Sequence, residues 1–312
     1  MSLSKNDITG YIDCHTHAGI NYTALYKCHY PAYQSVTTLH NCIAKSEMKY
    51  AIVFPNSNTI YYDVRAFWDG KGFLPSNQCA FPFEIENNYL IYEIAHFKYD
   101  NLLPFCMLSL RTKILEQIEH IKKLMKITTI YGIKLHPLAD NMSILAMENY
   151  PQLIQFMERY NLPIMCHTSM DEFANPMYVK EFALRHPKIR VCAAHLARFS
   201  SEFFQEKERF PKNLYIDCSP FLGLCNRYQS YGDSVMDLPY DQPFDVISYF
   251  IDNYPNNLLM GTDEPYSYKS KMKKEVCTLF TEYKDEMKWF NKLTISEKQK
   301  IAHDNTIKFL FG

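Results

Sequence analysis

The chain has 312 residues, 47% hydrophobic and 21% charged, which supplies a buried core and excludes a charge-rich disordered polymer. Its 33 basic and 34 acidic residues leave a formal charge of -1, so net charge offers no means of capturing nucleic acid or anionic lipid, and the expected partner is a small molecule. Residues 1–10 are polar, without the apolar stretch of a secretory signal, and no apolar run approaches the ~18 residues of a membrane span, so a cytoplasmic protein is expected. The ten cysteines include no Cys-x-x-Cys pair; Cys14, Cys166, Cys192 and Cys218 fall within apolar runs and read as reduced, buried thiols.

Short apolar runs alternate with longer amphipathic ones, the pattern of parallel βα units. In chain order the spacing predicts strand one over Tyr11–His15 and a helix over Tyr33–Met48, strand two over Tyr50–Phe54 and a helix over Asn88–Tyr99, strand three over Leu103–Leu110 and a helix over Lys113–Lys126. Strand four, Ile130–His136, precedes a helix over Ile144–Tyr160 that Ser143 can cap; strand five, Pro163–His167, precedes Pro176–Arg185; strand six, Ile189–His195, precedes Glu202–Phe210. Strand seven, Leu214–Ser219, is followed by Asp245–Asn253, and strand eight, Leu258–Asp263, by Lys271–Asn291, with a last helical pair, Ile295–Ala302 and Asp304–Phe309, to cover the base. Eight such units predict one domain over 1–312, a distorted (β/α)8 TIM barrel with an α/β fold. The connections after strands two and seven, Pro55–Glu84 and Pro220–Gln242, are long and rich in Tyr, Phe, Asn and Pro, including Tyr61, Tyr62, Phe67, Trp68, Tyr228 and Tyr231. Both leave strand C-termini, where barrel enzymes build their sites, so both read as site loops.

Of the 11 histidines, His15, His17, His136, His167 and His195 all stand at or just past the C-terminal end of a predicted strand, and Asp263 does so on strand eight. Side chains at i and i+2 share a strand face, so His15 and His17 aim together into the barrel mouth, with Asp13 on the same face as a candidate to orient an imidazole. Lys134 and His136 share a face of strand four, and an amine inside a barrel is expensive unless something neutralises it. Imidazoles and a carboxylate converging from separate strands with a position left open form the ligand set of a catalytic divalent ion, with zinc first among the metals. Asp217 reads equally as a site residue or a structural carboxylate. Arg65, Trp68, Arg198 and Arg227 are candidates to hold an anionic or aromatic substrate.

The His-x-His of strand one, Gly132-Ile133-Lys134-Leu135-His136-Pro137, the strand-end His167 and His195, and Gly261-Thr262-Asp263-Glu264-Pro265 resemble, in this order, the amidohydrolase superfamily. Within it they are similar to the branch of amidohydrolase-related proteins and aminocarboxymuconate-semialdehyde-type decarboxylases, whose usual ending the segment Asp304 to Gly312 also resembles. The resemblance implies that His15, His17 and His167 bind the metal. It implies that Asp263 both touches the metal and takes a proton from its water, and that His195 is either a second-metal ligand or a proton shuttle. Lys134 is a substrate or water partner if one ion is bound, the preferred count, and a carboxylated bridge, with His195 and His136 nearby, if there are two. The function expected is hydrolysis of an amide, ester or lactone of a small molecule through a metal-bound hydroxide. The alternatives are a nonoxidative decarboxylase using the same site and a metal-binding protein without catalysis; a homo-oligomer is compatible with either.

Overall fold

A computed structural model describes residues 3–21, 32–57, 59–205, 207–228, 235–266, 268–269, 279–280 and 283–312. Within them eight parallel strands run in chain order: β1 (Tyr11–Ile20), β2 (Met48–Pro55), β3 (Leu102–Met107), β4 (Gly132–Leu135), β5 (Ile164–Cys166), β6 (Val191–Ala193), β7 (Leu214–Asp217) and β8 (Leu258–Leu259). Each pairs in parallel with the next. The segment following β8 then returns to β1: Cys14 N donates to Met260 O at 2.8 Å, Asp263 N to His15 O at 2.8 Å and His17 N to Glu264 O at 2.7 Å. The eight predicted strands are thus all present and the ring closes as a (β/α)8 barrel.

Alternation along the strands separates two apolar layers, because successive side chains point to opposite faces. Ile12, Cys14, Ile52, Phe54, Leu103, Phe105, Met165, Cys192 and Leu259 fill the barrel interior, and Phe309 and Leu310 of the last helix pack against them together with Ile8. Neighbours such as Val53, Cys106, Ile133 and Ile164 face the surrounding helices. The helix Ile114–Leu124 shows the matching stripe, burying Ile114, Gln117, Ile118, Ile121 and Leu124. Gly132 is obligatory in this packing: a Cβ there would lie 2.3 Å from the Phe105 ring. Glycine at this point lets β4 approach β3 closely enough for Lys134, two residues on, to reach the barrel mouth.

Several helices differ from their sequence pattern for local reasons. The stretch expected as one helix over Ile144–Tyr160 is a 3-10 turn, Ile144–Asn149, capped by Ser143, followed by a helix from Pro151, whose missing N–H cannot continue a preceding turn. The helix expected over Tyr33–Met48 is only Val36–Ala44, because Tyr33–Gln34 pairs antiparallel with the end of β1 and Met48 already belongs to β2. Ser201–Phe204 and Lys207–Arg209 are short helical turns where one helix was expected, and residue 206 lies outside the described residues. Of the helix expected over Lys271–Asn291, residues 271–278 and 281–282 lie outside the described residues; Leu279–Phe280 pairs with Tyr268–Lys269, and Tyr283–Phe290 is helical. Thr294 and Glu297 form a capping box on Ile295–Gln299, and the chain runs through a π turn, Lys300–Asp304, into Asn305–Phe311.

Both long connections carry structure. After β2, Ile60 N donates to buried Glu86 Oε1 at 2.6 Å, the Arg111 guanidinium lies 4.0 Å over the Phe73 ring, and Val64–Trp68 forms a short helix. After β7, Phe221–Tyr228 is helical, while Tyr231 lies outside the described residues. Among the described residues no helix is long and apolar enough to cross a membrane.

Candidate metal centre

The site begins with an irregularity in β1. Asp13 pairs with Ala51 of β2 but Thr16 with Val53, so three steps on one strand match two on the other, a β-bulge. Ile12 and Cys14 face the barrel interior before it. The bulge shifts the alternation by one residue, and after it His15 and His17 stand together, ring centroids 5.3 Å apart, with both rings against Phe54. Asp13, expected on the His15 face, is therefore turned away from the imidazoles. Its Oδ1 accepts from the backbone N of His15 and of Thr262, both at 3.1 Å, and its Oδ2 accepts from Thr262 Oγ1 and Tyr283 OH. It braces β1 against the strand-eight segment and orients no ring; burial pushes its carboxyl up to about 7.

Fixed partners set the tautomers. His15 Nδ1 lies 2.9 Å from the Asp217 carboxylate, an acceptor, so Nδ1 carries the proton and Nε2 a lone pair. His195 Nδ1 faces the Ser219 carbonyl at 2.6 Å, so its Nε2 is also unprotonated and accepts from His167 Nδ1 at 2.9 Å, leaving the lone pair of His167 on Nε2. His136 Nδ1 accepts from Ala139 N at 3.1 Å as a helix cap, and its ring stacks on His167 at 4.1 Å. Burial holds all four rings below the ordinary imidazole range, helped at His15 by the Lys134 ammonium, and His136 falls to about 3. These are neutral imidazoles, the form a cation needs.

The Nε2 atoms of His15 and His17 lie 3.5 and 3.2 Å from Asp263 Oδ1. Ligands held 2.0–2.1 Å from a tetrahedral ion stand about 3.3 Å apart, so the three atoms fit the edges of one coordination shell. A second triplet, His15, His195 and Asp217, is equally compact, but there Asp217 is taken up by His15 Nδ1 and by the Ser219 hydroxyl. His167 stands in neither triplet and meets the group through His195. The Lys134 amine, only 1% exposed, lies 3.0 Å from His15 Nε2 and 4.5 Å over the Phe54 ring; burial pulls it below the ordinary lysine range, opposed by the Asp217 and Asp263 carboxylates. Hydrogen bonding from His17 and the charges nearby hold Asp263 below the usual carboxylate range although burial alone would raise it. The donor set and its charge suit a divalent cation.

Behind the site, β6 runs into a left-handed turn: His195, Leu196, Ala197, Arg198 and Phe199 take φ of 62, 48, 45, 56 and 54°. Such backbone costs an L residue roughly 1–2 kcal/mol, and none of the five is glycine. His195 N donates to Asp217 Oδ1 at 3.2 Å, Met236 N to Phe199 O at 2.8 Å and Arg198 Nε to Thr168 O at 2.7 Å, which tie the turn down. The turn keeps Arg198 half-buried beside His167 and His195, close enough to act on both rings electrostatically. Of the other candidate substrate residues, Arg65 and Trp68 are exposed on the helix after β2, and Arg227 is exposed on the helix after β7, near enough to Arg198 to act on its guanidinium electrostatically.

A family model described as amidohydrolase matches residues 77–312. No curated protein matches the sequence. Among solved structures, a probable 2-pyrone-4,6-dicarboxylic acid hydrolase from Acinetobacter baumannii, with citric acid bound, is 16% identical with a TM-score of 0.63, over 97% of this chain and 100% of that one. The 2,6-dihydroxybenzoate decarboxylase from Rhizobium is 12% identical at 0.61, over 97% and 99%. The 5-carboxyvanillate decarboxylase from Novosphingobium aromaticivorans, with bound manganese, is 10% identical at 0.59, over 96% and 97%. At these identities the likeness is one of fold.

Proposed function

Because the chain belongs to the amidohydrolase family, we propose that it is a metal-dependent hydrolase of a small amide, ester or lactone, its ion held by His15, His17 and Asp263 with His167 or His195 completing the set. The observation that carries this reading is the approach of two imidazole nitrogens, on rings from one bulged strand, to a carboxylate oxygen from the strand that closes the barrel. A divalent ion, zinc first and one per chain, supplies Lewis-acid polarisation and activation of water at neutral pH. Asp263 has a second carboxylate oxygen to take the proton from the attacking water. His195, with Nδ1 fixed on the Ser219 carbonyl, offers its Nε2 side to proton transfer through His167. Lys134 stabilises negative charge developing beside His15, and the half-buried Arg198 guanidinium, beside His167 and His195, is the group assigned to a substrate carboxylate in this reading.

That guanidinium also favours a second reading, nonoxidative decarboxylation; two of the proteins that share the fold are named decarboxylases. One preparation separates them. Purified protein is expected to hold about one divalent ion per chain and to release new acid from a panel of lactones and amides. Carbon dioxide from aromatic carboxylates would instead select the decarboxylase. Two ions per chain would turn Lys134 into a bridging ligand, and protein that takes up no divalent ion would remove both readings.

A further inference from the structure

The end of β7 holds a carboxylate whose two oxygens are used for different purposes. Asp217, fully buried, accepts on Oδ1 from three donors of its own neighbourhood: Ser219 N at 2.9 Å, Ser219 Oγ at 2.6 Å and His195 N at 3.2 Å. Its Oδ2 meets the ring of His15, 202 positions away in sequence, at 2.9 Å. One side of the carboxylate secures backbone, including the first residue of the left-handed turn, and the other faces an imidazole whose opposite nitrogen looks into the site.

We infer that Asp217 is a positioning residue that sets the tautomer of His15: it pins the proton on Nδ1 and so keeps the Nε2 lone pair facing the ion site and Lys134. The inference rests on the metal reading only for its consequence, not for the hydrogen bond itself. The asymmetry of the two oxygens makes the residue separable from scaffold by one substitution. In Asp217→Asn the amide oxygen belongs on the Oδ1 side, where three donors require an acceptor, and this places the amide nitrogen, a donor, against His15 Nδ1. His15 must then accept at Nδ1 and carry its proton on Nε2, where a cation cannot bind. The same exchange of carboxylate for amide beside a catalytic histidine is known to preserve geometry while selecting the wrong tautomer.

The experiment uses the intact chain in two parts. Proton–nitrogen correlation spectra of the metal-free protein, with the His15 ring assigned by its loss in His15→Gln, are expected to show an unprotonated Nε2 in the wild type and a protonated Nε2 in Asp217→Asn. Zinc affinity, read by competition with a chromophoric chelator, is expected to fall by at least 10- to 100-fold in the variant. A wild-type His15 protonated on Nε2, or an unchanged tautomer in folded Asp217→Asn, overturns the inference. If Asp217→Asn does not fold, the wild-type tautomer alone decides it, with Ser219→Ala, which leaves Oδ2 untouched, expected to keep both the tautomer and the zinc affinity. A wild type with the expected tautomer that binds no zinc would sink the metal reading and leave the role of Asp217 standing.

Discussion

Replacing His17 with alanine is expected to strip the ion and take turnover to background while the barrel stays folded. The ring contributes one of three ligand atoms that lie within 4.8 Å of one another, its Nε2 standing 3.2 Å from Asp263 Oδ1. Loss of an outer hydrogen-bond partner already weakens metal binding by about 10- to 100-fold; loss of a ligand exceeds that. Turnover should fall by roughly 10³ or more, since the chemistry depends on the ion. The fold should tolerate the change, because the ring's Nδ1 has no hydrogen-bond partner among the described residues and its packing is limited to neighbours such as Phe54 and Tyr266. A stability loss of about 1–3 kcal/mol is the scale for such a truncation. Metal content after dialysis, kcat/KM and the thermal midpoint test all three statements. A variant that retains both ion and activity would remove His17 from the ligand set.

Lys134→Met separates charge from ligation. Lys134 sits among the buried Asp217 and Asp263 carboxylates, and methionine fills a similar volume without the charge that offsets them, so the metal-free protein is expected to lose stability, by about 3–5 kcal/mol on the scale seen when one partner of a buried charge group is removed. Zinc should bind at least as well, because the resident cation at 3.0 Å from His15 Nε2 has gone. Activity should nevertheless fall about 10²–10³-fold, the usual effect of deleting one group that stabilises charge in the transition state. The combination of a weakened metal-free protein, intact metal and poor turnover is the signature of a functional lysine. Loss of metal together with activity would make Lys134 a ligand, as in a two-ion centre. Unaltered activity would leave it a costly occupant of the core with no part in the reaction.

Much of this arrangement is visible in the chain because strands advertise themselves by period and termini. All eight barrel strands fall on short apolar runs, and His15, His17, Lys134, His195 and Asp263 meet near the ends of those runs. What escapes the sequence is whatever depends on a local break in regularity or on a distant partner. The bulge between Asp13 and Thr16 reverses which face Asp13 occupies, and no glycine or proline marks it. The left-handed turn from His195 to Phe199 is equally unmarked, since Leu, Ala, Arg and Phe ordinarily avoid that backbone and are held there by tertiary contacts. Asp217 looked as much structural as functional because its partner, His15, lies at the opposite end of the chain. Aromatic and arginine content flags the two long connections, while Arg198, outside both of them, stands close enough to His167 and His195 to act on both rings.

The seam between the first and last strands has a temporal consequence. Two of the three atoms closest to a common coordination point belong to residues near the beginning, and the third arrives with Asp263, more than two hundred positions later, on the segment that joins them by backbone hydrogen bonds. A folding chain therefore holds two imidazoles with no carboxylate opposite them until the segment carrying Asp263 docks, and acquires the trio only when the ring is sealed. Formation of the trio and closure of the barrel are one event, so the proposed ion site exists only in the sealed ring.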